Sequence, residues 1–161
     1  MPLQPWMKWS NFQLQIVWIG MLCMNAEFFL DTNVLLYGVS NNPEELHKRN
    51  RSREILTGDM IGFSTQVFAE FYVNATKKKG FQLSHQQVMK ILEPLKIFPV
   101  QPITIDVEWD AFSICSEYNL SYWDSAIIAA AKALGCHTIW SEDLTHGQLY
   151  RDILVRNPHM E

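Results

Sequence analysis

The stretch Phe28-Phe29-Leu30-Asp31-Thr32-Asn33 decides the fold, because it places a carboxylate directly after a run of apolar residues. Glu27 to Leu30 is predicted to form a short buried strand, and the polar residues after it are typical of a helix start. A carboxylate beside a buried strand costs free energy unless it is paired, hydrogen-bonded or bound to a cation. Asp31 is therefore expected either to cap the next helix or to belong to a site.

Three further stretches place an acid beside apolar residues in the same way: Val67-Phe68-Ala69-Glu70, Tyr122-Trp123-Asp124 and Ile139-Trp140-Ser141-Glu142-Asp143. Each acid has an ordinary alternative. Glu70 fits a solvent-facing helix residue, Asp124 fits a capping box with Ser121, and Asp143 fits a loop acid. Four such acids on separate elements favour a shared site for a divalent metal.

The rest of the chain alternates between short strands and helices. Helix starts are predicted at Asn42-Pro43, Ser64-Thr65, Ser84 (in a capping box with Gln87), Asp106 and Ser121. Strands are predicted over Met60 to Ser64, Val100 to Ile105, His137 to Ser141 and Ile153 to Arg156. The pattern predicts an α/β fold in three layers, with a short central parallel sheet of four or five strands flanked by helices.

Two of these helices carry specific predictions about packing. The helix after Ser121 is apolar nearly all round from Ala126 to Leu134, so it is expected to be central. The helix after Asp106 has apolar residues at helical spacing, namely Ala111, Phe112, Cys115 and Tyr118.

The predicted sheet explains why the four acids should meet. In an open α/β sheet, ligands bind beyond the carboxyl ends of the strands. Asp31 and Asp143 follow two such ends, while Glu70 and Asp124 lie in the first turns of helices near the same edge. Clustered carboxylates repel one another unless a cation is present, and Mg²⁺ and Mn²⁺ prefer oxygen ligands. Such a site is suited to phosphoryl chemistry.

The composition limits the possible classes of function but does not identify one. The 161 residues fit one domain, and 48% of them are hydrophobic, which is enough for a core. The net charge of −4 counts mildly against a nucleic-acid-binding protein. Basic residues nevertheless cluster at Lys48, Arg49, Arg51 and Arg53, and again at Lys77 to Lys79. These clusters are either solvated helix faces or phosphate-attracting rims around an acidic centre.

The cysteines favour a reducing compartment. Cys23, Cys115 and Cys136 make an odd count without C-x-x-C spacing, which argues against a disulfide framework or a structural zinc site. Reduced thiols in a cytoplasmic protein are the simplest explanation.

The segment from Met1 to Cys23 differs from the rest of the chain. It holds one charged residue, Lys8, three tryptophans and an apolar run that is too short for a membrane span. We expect residues 1–23 to be an upstream mis-start or an accessory segment, with Met24 as the natural start and residues 24–161 as the domain. A secretory signal or a membrane-surface anchor is the alternative.

The four motifs together resemble a known family. Phe29-Leu30-Asp31-Thr32-Asn33-Val34-Leu35, Ser64-Thr65-Gln66-Val67-Phe68-Ala69-Glu70-Phe71, Tyr122-Trp123-Asp124-Ser125-Ala126-Ile127 and Ser141-Glu142-Asp143-Leu144 are similar, in order and spacing, to those of PIN-domain nucleases. Within that family, the motifs most resemble those of the VapC-type toxins of bacterial toxin–antitoxin pairs.

The resemblance implies an Mg²⁺- or Mn²⁺-dependent endoribonuclease that is commonly a homodimer and is held inactive by an antitoxin. It assigns Asp31, Glu70, Asp124 and Asp143 to the catalytic acids. Asp31 and Asp124 would ligate the metal, while Glu70 and Asp143 would hold a second ion or orient the attacking water. The supporting residues are Asn33 and Ser141, with Glu142 as an extra acid of open role.

Other functions fit parts of the same pattern. One is a PIN-fold nuclease of RNA processing without a toxin role, and another is a non-catalytic nucleic-acid-binding module. A phosphatase or phospho-acceptor would use Asp31 as nucleophile, but Asp31-Thr32-Asn33 lacks the second Asp of the phosphatase pattern. Phe71, Tyr72 and the apolar residues of the helix from Glu44 fit either a groove for an antitoxin helix or the core.

Overall fold

The computed structural model describes residues 25–58 and 60–160, so the interpretation of residues 1–23 lies outside the described residues. The described part contains six strands: β1 (Phe28–Leu30), β2 (Ile61–Ser64), β3 (Val100–Gln101), β4 (Thr138–Trp140), β5 (Leu149–Tyr150) and β6 (Ile153–Arg156). They form one sheet in the order β3-β2-β1-β4-β6-β5. Every pairing is parallel except that between β5 and β6. The predicted α/β fold with a mostly parallel sheet is confirmed.

Strand β5 is absent from the sequence prediction, and the turn that follows it explains why. Arg151 and Asp152 connect β5 to β6, and both have positive φ, at 47° and 68°. A two-residue hairpin turn of type I′ requires this left-handed backbone at both positions, and Asn-Gly or Asp-Gly usually signals it. Arg-Asp carries no such signal, so the hairpin is hidden in the sequence.

Six α-helices and one short 3₁₀ helix lie in the described part of the chain. The α-helices are α1 (Thr32–Val39), α2 (Leu46–Leu56), α3 (Thr65–Lys77), α4 (His85–Leu95), α5 (Ile105–Tyr118) and α6 (Tyr122–Ala133), and the 3₁₀ helix is Pro43–Glu45. The capping box of Ser84 and Gln87 is confirmed.

The predicted start of α5 is wrong by two residues. Thr104 is the N-cap, and its side chain accepts a hydrogen bond from the backbone of Val107. Asp106 lies in the first turn instead, where a negative charge interacts favourably with the helix dipole. Val100 to Ile105 therefore contributes only a two-residue strand.

Helix α6 lies at the centre of the core, as its composition predicts. All seven residues from Ser125 to Ala131 are buried, and α6 packs against α5 and the sheet. The buried face of α5 consists of Val107, Ala111 and Ile114. Phe112, which the sequence grouped with the apolar face, is 48% exposed. Phe71 is fully buried, so core packing explains it without an antitoxin groove.

The strand order creates a switch point between β1 and β4. From β1 the chain builds outward through β2 and β3 on one side, while β4, β6 and β5 extend the sheet on the other. The backbone N–H of Asp31 donates to the carbonyl of Trp140 at 3.1 Å, which joins the carboxyl ends of these two strands. A crevice at such a point is the usual ligand site of an open parallel sheet.

No helix among the described residues has the length and apolar character needed to cross a membrane.

Candidate active site

Asp31 lies at the end of β1 and is 92% buried, with 8% of its surface exposed. Its Oδ1 accepts a hydrogen bond from the backbone N–H of Thr32 at 2.6 Å, so Asp31 caps α1. Its Oδ2 accepts from the hydroxyl of Ser141 at 2.6 Å and from the side-chain amide of Asn33 at 2.9 Å. Asp31 therefore caps a helix and also lies at the carboxyl end of a strand, where the sequence predicts a site.

The surroundings of Asp31 oppose its negative charge. Burial raises the pKa of its carboxyl from 3.8 to about 7, and the nearby Asp143 and Glu70 add to the increase. Hydrogen bonds from Ser141 and Thr32 act in the opposite direction but do not cancel the effect of burial. A cation next to this carboxylate would favour its ionised form.

Glu70 faces α1 rather than bulk solvent. It lies in the second turn of α3, where its Oε2 accepts from the hydroxyl of Thr32 at 3.1 Å. Its Oε1 accepts from the side-chain amide of Gln66 at 2.8 Å. The carboxylate is thus held by one donor on α1 and one on its own helix.

Asp124 lies in the first turn of α6, beside the residue that caps this helix. The Ser121 side chain accepts from the backbone N–H of Asp124 at 3.1 Å, and its hydroxyl donates to Asp124 Oδ2 at 2.7 Å. Ser121 therefore is the N-cap, as predicted. The Asp124 carboxylate binds the Ser121 hydroxyl and not its backbone N–H, so the predicted capping box is only half formed.

Asp143 follows β4 and is exposed. The side-chain amide of Asn33 donates to Asp143 Oδ2 at 3.3 Å as well as to Asp31, so Asn33 bridges two acids. Ser141, which is fully buried, accepts from the backbone N–H of Asp143 at 3.1 Å while donating to Asp31. Asn33 and Ser141 thus connect the ends of β1 and β4.

All four acids named from the sequence line one cleft of about 330 Å³, which we call the acidic cleft. Its lining consists of Asp31, Gln66, Glu70, Asn74, Trp123, Asp124, Ile127 and Asp143. The acids come from a strand end, two different helices and a loop, so only the tertiary fold brings them together. Their catalytic and metal-binding roles stay predictions.

Glu142 forms an ion pair with Lys48 on α2, and Lys48 also donates to the hydroxyl of Tyr37 at 3.0 Å. Glu142 lines a neighbouring cleft of about 270 Å³, which includes Asp31, Glu70, Asp143 and Lys78. The extra acid is therefore tied to the basic cluster of α2.

The other cations of that cluster also bind within the protein. Arg49 donates to the carbonyl of Ser40 at 3.2 Å, and Arg53 donates to that of Gly38 at 2.9 Å. Both carbonyls lie at the end of α1, where helical carbonyls lack partners within the helix. Arg51 reaches the carbonyl of Pro158 at 3.3 Å. These contacts hold α2 against α1 and the C-terminal residues.

Four lining residues of the acidic cleft were not predicted as site residues from the sequence: Gln66, Asn74, Trp123 and Ile127. A signal for two of them exists. Gln66, Glu70 and Asn74 are spaced by four residues on α3, so they form one polar stripe along a largely apolar helix. Asn74 donates to the carbonyl of Glu70 at 2.9 Å, and Gln66 donates to that of Trp123 at 3.2 Å. Gln66 therefore connects Glu70 to the start of α6.

The donor set of the acidic cleft fits a hard divalent cation. Its charged ligands are carboxylate oxygens, and neither His nor Cys lines the cleft. Within residues 25–58 and 60–160, no three His, Cys, Asp or Glu side chains form a ready-made metal site. Mg²⁺ is commonly bound by one or two carboxylates together with waters and substrate phosphates, so an open site of this kind suits it.

Comparisons with known proteins agree with the fold. The family model for the PIN domain matches residues 28–151, which is more than half of the chain. The search of curated protein sequences finds no match to this chain.

Three solved structures are similar in fold. VapC20 of Mycobacterium tuberculosis, a sarcin–ricin-loop-cleaving toxin, is 14% identical with a TM-score of 0.58, covering 72% of this chain and 89% of that one. A toxin–antitoxin complex from Klebsiella pneumoniae is 19% identical with a TM-score of 0.59, and the match covers 81% of this chain and 96% of that one. VapBC2 from Rickettsia felis, bound to a DNA fragment from its promoter, is 17% identical with a TM-score of 0.57, and the match covers 81% of this chain and 97% of that one.

Proposed function

This chain belongs to the PIN-domain family, and we propose that it is a metal-dependent endoribonuclease that hydrolyses RNA phosphodiester bonds. One observation carries the proposal: four carboxylates from separate elements line one cleft at the switch point of a parallel sheet. Such a set destabilises the fold, since burial and neighbouring acids disfavour the ionised form of Asp31 and raise its pKa to about 7. A functional role explains why the acids are placed together.

Asp31 and Asp124 are the proposed ligands of Mg²⁺ or Mn²⁺, which would neutralise charge on the phosphate and make a water more acidic. Ser141, Thr32 and Asn33 donate hydrogen bonds that orient the Asp31 carboxylate. Those bonds favour the ionised form that a cation requires.

Glu70 and Asp143 are proposed to hold a second ion or to orient the attacking water. Gln66 and Thr32 fix the position of the Glu70 carboxylate through one hydrogen bond each. Asn33 donates to both Asp31 and Asp143, so these two acids are positioned relative to each other before substrate binds.

Cleavage of a labelled single-stranded RNA by the purified chain tests the proposal. We expect cleavage with Mg²⁺ or Mn²⁺, none in EDTA, and a loss on the order of a hundredfold or more in Asp31→Asn. Asp106→Asn is the matched control, because this exposed acid on α5 lies outside the acidic cleft and outside the neighbouring cleft that Glu142 lines, so it should leave the rate unchanged. Equal cleavage in EDTA, or full activity of Asp31→Asn, would contradict the proposal.

We further propose that the nuclease is the toxin of a type II toxin–antitoxin pair, acts in the cytoplasm as a homodimer and is inhibited by an antitoxin. The support is the fold likeness to VapC20 and to two toxin–antitoxin complexes. Free Cys115 and Cys136 are compatible with a reducing compartment.

Growth of cells after induced expression tests the toxin proposal. The wild-type chain should arrest growth, Asp31→Asn should not, and co-expression of the antitoxin should restore growth. Normal growth with active, soluble nuclease would instead favour a PIN-fold enzyme of RNA processing. Light scattering on the purified chain tests the homodimer.

A further inference from the structure

An apolar groove of about 600 Å³ adjoins the acidic cleft, and we call it the Trp123 groove. Ala69, Val73, Ile103 and Tyr122 supply much of its wall. Four residues line both the groove and the acidic cleft, namely Gln66, Glu70, Asn74 and Trp123. The two hollows therefore share a wall, and a chain bound with its phosphate at the acids can continue into the groove.

Trp123 is the aromatic residue of this shared wall, and 61% of its surface is accessible. Its ring lies edge-to-face against that of Tyr122, with centroids 5.1 Å apart and an interplanar angle of 72°. The Tyr122 hydroxyl donates to Glu108 at 2.6 Å, and the Trp123 carbonyl accepts from Gln66 at 3.2 Å. The backbone of Trp123 and the side chain of Tyr122 are therefore both held by hydrogen bonds, while the Trp123 indole stays accessible.

Few basic side chains line the hollows that the RNA would occupy. The basic residues of α2 bind carbonyls, Glu142 or Glu54 within the protein. Among the described residues, Lys78 is the one basic side chain that lines the acidic cleft, the neighbouring cleft that contains Glu142, or the groove. Stacking of bases on aromatic rings is the other general source of affinity for a single strand.

We propose that the indole of Trp123 is a stacking platform for a nucleobase next to the scissile phosphodiester of single-stranded RNA. The proposal rests on the nuclease function proposed above and names a binding subsite for its substrate. The direct connection to the acidic cleft favours RNA over a protein ligand. A second copy of this chain is the competing occupant, because Trp109 and Phe112 continue the exposed aromatic surface through Tyr122.

Steady-state cleavage of a short single-stranded RNA by four proteins tests this subsite: the wild type, Trp123→Ala, Trp123→Phe and Trp109→Ala. Trp123→Ala should raise KM on the order of tenfold with a smaller change in kcat. Trp123→Phe, which retains an aromatic ring, should recover most of the loss. Trp109→Ala removes an indole that is 66% exposed outside the groove and should leave KM unchanged.

A second set of substrates, each lacking one base, separates stacking from a structural effect. At one position beside the cleavage site, loss of the base should raise KM for the wild type by about the same factor as Trp123→Ala does. The same abasic substrate should then raise the KM of Trp123→Ala no further, because loss of the base and loss of the indole remove the same interaction.

The outcomes distinguish the two proposals. Active wild-type enzyme with an unchanged KM for Trp123→Ala, or an equal effect of each abasic position in both proteins, overturns the stacking subsite alone. A shift in oligomeric state by light scattering in both Trp123→Ala and Trp109→Ala assigns the surface to a second copy and overturns it too. Absence of any RNA cleavage by the wild type in Mg²⁺ contradicts the nuclease function itself.

Discussion

At the scale of single residues, Asp31 combines two roles that the sequence offers as alternatives. It caps α1 through Oδ1, and its Oδ2 faces Ser141 and Asn33 at the edge of the sheet. A cap alone does not require burial of a carboxylate, since Ser121 and Thr104 perform the same task at exposed positions. The burial of Asp31 is therefore the feature that a metal site explains and a cap does not.

The raised pKa of Asp31 predicts how stability depends on pH. The folded protein retains a proton on this carboxyl up to about pH 7, whereas the unfolded chain releases it near pH 3.8. Between these values the folded state binds more protons, so the free energy of unfolding should fall as the pH rises, by up to about 4 kcal/mol. The contribution is fully present below about pH 4 and is lost above about pH 7.

Urea unfolding between pH 4.5 and pH 7.5 in EDTA measures this effect. Asp31→Asn is the control, because it lacks the titrating group, and its free energy of unfolding should depend less on pH than that of the wild type. Mg²⁺ should raise the stability of the wild type at pH 7.5 and have less effect on the variant. An identical pH dependence in the two proteins would contradict the account.

At the scale of elements, Gly62 shows how closely β2 approaches its surroundings. It pairs with Phe29 in the sheet, and a Cβ added at this position would lie 2.8 Å from the Cβ of Ala26 and 3.0 Å from Leu134. We expect Gly62→Ala to destabilise the fold by about 1–3 kcal/mol, because both contacts are below van der Waals distance.

Urea unfolding of three variants tests this packing: Gly62→Ala, Ala26→Gly and the double variant. Ala26→Gly removes the nearest clashing atom, so the double variant should be more stable than the sum of the single effects predicts. Strictly additive losses would mean that the close approach of Gly62 to Ala26 does not limit packing at β2.

Elements with local signals were predictable, whereas those that depend on distant partners were not. Ser84, Ser121 and Gly135 mark helix boundaries through capping and turn chemistry that needs only neighbouring residues. The β5–β6 hairpin was hidden because Arg151-Asp152 lacks the usual turn residues. In α5, the stripe of Val107, Ala111 and Ile114 competes with the one containing Phe112, and packing against α6 selected the first.

The site follows the same division. The four acids could be named from sequence because each stands beside an apolar stretch at the end of a strand or in the first turns of a helix. The roles of Lys48 and Gln66 could not be predicted, because their partners are distant in the sequence. Lys48 pairs with Glu142, which lies 94 residues further along the chain, and Gln66 bonds Trp123, which lies 57 residues further. The sequence left the basic cluster of α2 open between a solvated face and a phosphate rim, and its side chains instead bind the end of α1, Glu142 and Pro158.

At the scale of the whole molecule, the strand order determines where chemistry can occur. Strands β1 and β4 are neighbours at the switch point, and both end beside the acidic cleft. Helices α3 and α6 then bring Glu70 and Asp124 to the same place. The proposed site for a divalent cation depends on this convergence.

Isothermal titration of the purified chain with Mn²⁺ or Mg²⁺ measures cation binding at this site without a substrate or a partner. We expect saturable binding to the wild type at up to millimolar metal, equal binding to Asp106→Asn, and binding to Asp31→Asn that is weaker on the order of tenfold or more. Absence of binding to the wild type at millimolar metal, or unchanged binding to Asp31→Asn, would contradict the proposed cation site.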